Sequence, residues 1–188
     1  MKDLNLFRVK DSVYLKIVSS KDEALGDLNC NGILIRGDEK VARSIIASLK
    51  DKKFDGKVGI FGGDDAFNRR VVESLKVDYL VSIEKNTKFD NLKQRDSGLN
   101  HVVAKIAKDK GVKIVVNFGE IARLKGKEKG ERIAKIMQNV GVCRKVGCGI
   151  LIGSFALDKK GVVDVKGRQS FGVTLGMSSS EVRDCVEF

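Results

Sequence analysis

The run Arg95–His101, which reads R-D-S-G-L-N-H, contains residue types that can hold an anion. It includes the only histidine of the chain and opens a predicted helix. A helix start presents backbone N–H groups without internal partners, and these groups attract phosphate, especially beside basic side chains. The run therefore predicts contact with phosphate. No nucleophile and base stand near it at a catalytic spacing.

Other patterns typical of enzymes are missing from the sequence. Hydrolysis by a bound metal needs several histidines or carboxylates that converge, and this chain has one histidine, His101. Gly153-Ser154-Phe155 does not match the G-x-S-x-G nucleophile motif, and no P-loop is present. Asp64 and Asp65 are better explained as acidic residues at a helix start than as an acid–base pair.

The net charge of +11 is concentrated in the middle of the chain. Residues 80–145 carry 16 Lys and Arg against 7 Asp and Glu, while the rest is nearly balanced. Such a basic zone indicates a polyanionic partner, or else a solvated lysine-rich surface of the kind found in heat-adapted proteins. Composition alone supports both explanations.

Eight of the 16 Lys and Arg residues of this zone, together with His101 and one arginine beyond the zone, are the candidates for RNA contact. Arginine matches phosphate oxygens with a planar fork, and His101 shares a polar helix side with lysines. Aromatic residues are scarce, with 9 Phe, 2 Tyr and 0 Trp, so contact with the backbone of folded RNA is favoured over base stacking. The candidates are Lys85, Lys88, Arg95, His101, Lys105, Arg123, Arg132, Arg144, Lys145 and Arg168.

Cysteine usage and the chain start predict a reducing, cytoplasmic location. Cys30, Cys143, Cys148 and Cys185 form no C-x-x-C pair, so we expect buried thiols. The start Met1–Leu4 does not resemble a secretory signal. No apolar run approaches the roughly 20 residues that a membrane span requires.

Short apolar runs alternate with stretches of helical periodicity, which predicts a distorted or incomplete (β/α) TIM-type barrel of the α/β class, in one domain over residues 1–188. A complete eight-fold barrel needs about 250 residues, so a unit is trimmed or missing. Predicted strands cover 4–7, 13–17, 32–36, 57–61, 78–82, 112–116 and 149–153, and predicted helices cover 39–50, 65–76, 97–110, 128–143, 167–176 and 179–186.

The predicted strand ends indicate where function would lie, because barrels of this kind place their sites at the C-terminal ends of the strands. Those ends are Arg36, Gly62, Glu84-Lys85, Asn117 and Ser154. For the helix over 97–110, Asp96 or Ser97 is the predicted cap, since a short oxygen side chain accepts hydrogen bonds from the first backbone N–H groups.

Three groups of segments together carry a resemblance to a known family: Arg95–His101 with the strand over 112–116, Ile136–Asn139 leading into Cys143–Gly147, and Leu175–Met177. They resemble the archaeal and eukaryotic ribonuclease P protein component three family. The resemblance covers residues 78–186 best, and the first third only through its order of strands and helices. R-D-S-G-L is its most specific part.

The resemblance implies a barrel similar to the polymerase-and-histidinol-phosphatase superfamily. It implies a non-catalytic subunit of the ribonucleoprotein that removes 5′ leaders from precursor tRNA. The ribonuclease P RNA would carry the active site and need Mg²⁺, this chain would hold no cofactor or metal, and another small protein subunit would pair with it. Precursor tRNA would be contacted only indirectly, and no membrane partner is expected.

The superfamily's metal enzymes carry H-x-H on the first strand, where this chain has Asp3-Leu4-Asn5. That departure argues against a metal-dependent hydrolase. By motif, the resemblance ranks Arg95 and His101 first as RNA contacts, followed by Arg144 and Lys145.

Two other functions stay open from the sequence. A stand-alone barrel phosphoesterase could hold a small phosphate ester on the same basic face. Alternatively, a scaffold could present mainly a protein-facing surface and leave RNA contact to its partner. Reconstituted cleavage of precursor tRNA with and without this chain would separate these functions.

Overall fold

Seven parallel β-strands, hydrogen-bonded in chain order, form the centre of the computed structural model, which describes residues 3–10, 12–85 and 96–188. Each strand pairs with the next one along the chain, as a β/α barrel requires. The strands are β1 (Leu4–Asn5), β2 (Val13–Val18), β3 (Gly32–Ile35), β4 (Lys57–Phe61), β5 (Tyr79–Val81), β6 (Lys113–Asn117) and β7 (Ile150–Gly153). This confirms the predicted incomplete TIM-type barrel, with small differences at the strand ends.

Eight α-helices and one 3-10 turn (Lys159–Gly161) connect and surround the strands over the described residues. The six predicted helices are present with shifted ends. Two further helices, α1 (Lys21–Gly26) and α5 (Phe118–Arg123), were not predicted, because six residues are too few to show a helical period. The helices are α1 (Lys21–Gly26), α2 (Glu39–Asp51), α3 (Asp65–Ser74), α4 (His101–Asp109), α5 (Phe118–Arg123), α6 (Gly126–Val146), α7 (Val165–Thr174) and α8 (Ser179–Asp184).

Strand side chains alternate between two hydrophobic cores. One set, which includes Leu15, Leu34 and Val115, clusters inside the barrel with Phe155. The other set, which includes Ile33, Ile35 and Ile114, packs outward against the helices. Because both faces of the sheet are covered, the strands read as almost continuous apolar runs in the sequence.

The barrel has one unsealed seam, between β7 and β1. The Leu6 amide donates to the Ala156 carbonyl at 2.9 Å, and the Phe155 amide donates to the Leu4 carbonyl at 2.8 Å, but no strand pairing joins β7 to β1 within the described chain. Side chains complete the contact. The Asp3 carboxylate accepts from the Ser154 amide at 3.0 Å, and the Asn5 side chain accepts from the Ala156 amide at 3.1 Å.

These two side chains occupy the positions that the sequence resemblance aligned with H-x-H. They hydrogen-bond across the seam, and Asn5 also donates to Asp3 at 3.2 Å. Leu4, between them, belongs to the cluster inside the barrel. Asp3 and Asn5 therefore hold the first strand against the last one.

The C-terminal end of α6 accounts for two of the four cysteines. Gly147 has a left-handed φ of 72°, and the Cys148 amide donates to the Cys143 carbonyl at 3.0 Å, which is the Schellman pattern of helix termination. Cys143, Cys148 and Cys185 are buried free thiols, as predicted, whereas Cys30 is half-buried.

Over the described residues, no helix has both the length and the apolar character needed to cross a bilayer.

Candidate nucleic-acid interface

The Asp96–Leu99 turn, which holds most of the R-D-S-G-L motif, is a buried structural element. Ser97, Gly98 and Leu99 are each buried. Gly98 has a φ of 73°, and a Cβ built on it would lie 2.2 Å from the Ile83 carbonyl oxygen. Only glycine fits this position, because any other residue would adopt a strained left-handed backbone conformation and its Cβ would clash with the Ile83 carbonyl. Arg95 lies outside the described residues.

Three amide side chains from neighbouring helices hold the turn. Asn68 of α3 donates to the Gly98 carbonyl at 3.1 Å. From α6, Gln138 donates to the Ser97 hydroxyl at 3.0 Å and Asn139 donates to the Ser97 carbonyl at 3.0 Å. The Asp96–Leu99 turn is therefore fixed against α3 and α6.

The start of α4 differs from the prediction. Asn100, and neither Asp96 nor Ser97, caps this helix, because the chain becomes helical only at His101. The Asn100 side-chain oxygen accepts from the amides of Val102 and Val103, both at 3.0 Å. Two N–H groups that were expected to hold phosphate are thus already bonded within the protein.

His101 and Lys105 lie exposed on α4, one turn apart, as the sequence predicted. They are available at the surface, and RNA contact by them stays a prediction. Lys88, like Arg95, lies outside the described residues.

A cavity of 510 Å³ opens at the C-terminal ends of the strands, and we call it the mouth. Its lining brings together two predicted RNA contacts, Lys85 and Arg123, which lie far apart in the sequence. It also includes Arg36, whose guanidinium lies 5.1 Å from the centre of the Phe61 ring. Gly62, Ser82, Asn117 and Glu120 complete the polar part of the lining.

Arg36 and Ser82 were not among the predicted RNA contacts. Arg36 was nevertheless recognised as a strand end, and Ser82 ends the predicted strand over 78–82. Their positions in the barrel, rather than local charge density, are the signal that could have found them.

Two carboxylates near the mouth are held by cations. The Lys85 ammonium lies 2.7 Å from a Glu120 oxygen. The Arg132 guanidinium lies 3.7 Å from oxygens of both Glu120 and Glu84. Burial raises the pKa of Glu84 to about 7, although the charge of Arg132 opposes that shift.

Arg132 and Arg168 do not lie on the surface where the sequence analysis expected them. Arg132 is buried beside Glu84 and Glu120. Arg168 is 1% exposed; its guanidinium lies 3.1 Å from the Asp3 carboxylate and donates to the Ile152 carbonyl at 3.2 Å. Buried charges need such partners, and no local pattern in the sequence indicates partners so distant along the chain.

Arg144 and Lys145 lie at the C-terminal end of α6, away from the mouth. Arg144 lines a second cavity beside Lys113 and Gly149, where β6 and β7 begin. Its guanidinium donates to both oxygens of Glu181, at 2.7 to 3.2 Å, and this pair lowers the pKa of Glu181 to about 2. Lys145 is exposed. The predicted RNA contacts are therefore divided between the two ends of the barrel.

Among the described side chains, no group of three or more His, Cys, Asp and Glu residues is arranged to hold a metal ion. The mouth can hold an anion by means of its cations and hydroxyl. The one carboxylate among its described lining residues, Glu120, is already engaged by Lys85 and Arg132.

Comparison with protein families gives a match to the family described as RNase P subunit p30, over residues 40–187. Ribonuclease P protein component 3 of Methanococcus maripaludis strain C6 is 31% identical over 114 residues, which cover 59% of this chain and 46% of the relative. The corresponding protein of Methanococcus vannielii is 27% identical over 145 residues, covering 73% and 60%. The chain thus spans about half the length of the curated relatives it matches.

Solved structures share the fold. A chain in the cryo-EM structure of archaeal ribonuclease P with mature tRNA superposes with a TM-score of 0.71 at 21% identity, covering 98% of this chain and 86% of that one. An amidohydrolase crystal structure superposes with a TM-score of 0.58 at 15% identity, covering 89% and 44%. At these identities the likeness establishes the barrel architecture alone.

Proposed function

This chain belongs to the RNase P subunit p30 family, and we propose that it is a protein subunit of the ribonucleoprotein that removes 5′ leaders from precursor tRNA. The match over residues 40–187 is the observation that carries the proposal. In this role the chain binds and supports the catalytic RNA, while the RNA performs the cleavage with Mg²⁺. The chain itself needs no cofactor.

The mouth supports a binding role. Arg36, Lys85 and Arg123 surround it, and guanidinium groups match phosphate oxygens in geometry and charge. His101 and Lys105 are further exposed basic or titratable residues, on α4. We propose that these five residues contact the RNA backbone, and that Lys145 at the other end of the barrel contributes less.

The partners follow from the same role. We propose direct contact with the ribonuclease P RNA, indirect contact with precursor tRNA, and pairing with another small protein subunit. The family match supports this proposal over a stand-alone phosphoesterase.

Reconstitution tests the proposal. Cleavage of precursor tRNA is measured with the RNA component and the other protein subunits, with and without this chain, at limiting protein. Omission of the chain should lower cleavage at least tenfold. The isolated chain, given Mg²⁺ or Mn²⁺, should not turn over small phosphate esters; turnover there without an effect on cleavage would contradict the proposal.

Salt dependence separates RNA binding from a purely protein-facing scaffold. Removing one cation that binds a phosphate should reduce the slope of log K against log salt by about 0.7 to 0.9. Replacing Arg36, Lys85 and Arg123 together by Gln should therefore flatten the slope by about 2.1 to 2.7 units. The exposed Lys52 and Lys166, changed to Gln, serve as controls. Binding of RNA only in the presence of the partner subunit would favour the scaffold.

A further inference from the structure

Ser82 has a buried hydroxyl that the protein does not use. The residue is 1% exposed and lines the mouth, and its Oγ has no hydrogen-bond partner within the described residues. Its backbone groups are bonded, since the amide donates to the Val115 carbonyl at 3.0 Å and the carbonyl accepts from the Lys85 amide at 3.2 Å. Buried hydroxyls are normally paired, so this one is suited to donate to a ligand.

Two arginines line the same cavity from different elements. Arg36 directly follows β3, and Arg123 ends α5. The Phe61 ring lies 5.1 Å from the Arg36 guanidinium and restricts its position. A guanidinium presents parallel N–H donors that fit two oxygens of one phosphate group.

The carboxylate of the lining does not oppose an anion, because it is neutralised. Glu120 is paired with Lys85 at 2.7 Å and lies 3.7 Å from Arg132. Arg36 and Arg123 therefore leave the cavity with a positive balance. At 510 Å³ it has room for a phosphate group together with the unit that carries it.

We propose that the mouth is a binding site for one phosphate group, which accepts hydrogen bonds from the Ser82 hydroxyl and from the guanidinium groups of Arg36 and Arg123. The phosphate is either a diester of an RNA backbone or a monoester of a small molecule. The RNA source rests on the proposed function, whereas the site itself does not.

The test is titration of the ¹⁵N-labelled full chain at constant ionic strength with three probes: inorganic phosphate, the diester adenylyl-adenosine and the monoester adenosine 5′-monophosphate. Amide shifts should concentrate at Gly62, Ser82 and Asn117. Ser82→Ala should weaken phosphate binding about fivefold. Arg36→Gln with Arg123→Gln should weaken it at least tenfold.

Matched variants control for backbone strain at Ser82, for substitutions outside the mouth and for loss of folding. Ser82 has a φ of 53°, which glycine adopts freely, so Ser82→Gly removes the hydroxyl without strain and should weaken binding as Ser82→Ala does. The exposed Ser170→Ala and Lys52→Gln should bind phosphate like the unaltered chain. Circular dichroism and the urea midpoint confirm that each variant is folded.

The outcomes divide clearly. Preference for the diester supports the site with RNA as the source, and preference for the monoester supports the site with a small molecule. Unchanged binding in both Ser82 variants, shifts centred elsewhere, or an equal loss in Lys52→Gln would overturn the proposal. Phosphate binding by a chain that does not support precursor-tRNA cleavage would defeat the proposed function alone, and the reverse result would defeat the site alone.

Discussion

The seam and the mouth of this barrel both contain buried polar side chains, but they use them in opposite ways. At the seam, Asp3 and Asn5 bond to backbone amides of the last strand region, and Arg168 pairs with Asp3. At the mouth, the Ser82 hydroxyl has no partner within the described chain, and Arg36 lines an open cavity. The comparison shows that a polar residue's role depends on whether the fold supplies its partner.

The largest effect is expected at the seam. Arg168→Met should lower the free energy of unfolding by about 3–5 kcal/mol, because it leaves the Asp3 carboxylate buried without its cation. The exposed Lys166→Met, on the same helix, should change stability by no more than about 0.5 kcal/mol. Urea denaturation of both variants measures the difference, and equal midpoints would mean that Arg168 does not stabilise the seam.

The next effect concerns the Asp96–Leu99 turn. Gly98 and Gly111 both have a φ of 73°, but only Gly98 would place a Cβ against backbone, at 2.2 Å from the Ile83 carbonyl oxygen. Gly98→Ala should cost about 3 kcal/mol, from left-handed strain plus overpacking, and Gly111→Ala about 1 kcal/mol, from strain alone.

Urea midpoints of the two glycine variants test whether the motif is structural. If both variants were destabilised equally, the close approach of Gly98 to the Ile83 carbonyl would not contribute to the loss of stability. If a Gly98→Ala chain kept its stability but no longer bound RNA, the R-D-S-G-L motif would instead be inferred to contact RNA directly.

The success of the fold prediction follows from local signals. Runs such as Ile33–Ile35 and Ile114–Val116 are apolar because both faces of the sheet are covered, so the strands were visible in the sequence. Helix α5 was not visible in the sequence, because its six residues depend on the Asn117 cap and on the burial of Ile121. The cap of α4 was misplaced because Asp96, Ser97 and Asn100 are all good capping residues.

The candidate site was less predictable because it depends on contacts between distant residues. Lys85 and Arg123 were chosen for their charge, and the barrel brings both to the mouth. Arg132 and Arg168 carry the same charge but meet carboxylates inside the fold. Nothing local to a basic residue reveals whether an acid 48 or 165 positions earlier will pair with it.

A smaller effect is expected from Glu84, near the mouth. Burial raises its pKa from 4.5 to about 7, so the folded protein keeps a proton that the unfolded chain releases. The free energy of unfolding should therefore fall as pH rises from about 4.5 to about 7. Glu84→Gln cannot ionise and should reduce this fall by on the order of 2 kcal/mol. Urea curves at pH 4.5, 6 and 8 measure it, and parallel pH profiles for both proteins would contradict it.

The smallest effect is expected at the opposite end of the barrel, where Arg144 lowers the pKa of Glu181 from 4.5 to about 2. Here the sign is reversed: the pair stabilises the fold above about pH 4.5, and the benefit disappears as pH falls through about 2. The Arg144 side chain is 49% exposed, so solvent screens the pair and we expect a smaller contribution to stability than that of Glu84.

Glu181→Gln isolates this charge, because glutamine can still serve the capping box that Glu181 forms with Ser178 at the start of α8. The variant should be less stable than the unaltered chain at pH 7 and should match it only below about pH 2, and 1 M salt should reduce the difference at pH 7. Glu187→Gln is the matched control on an exposed carboxylate. A difference that persisted at low pH would show that Glu181 acts through its shape and not through its charge.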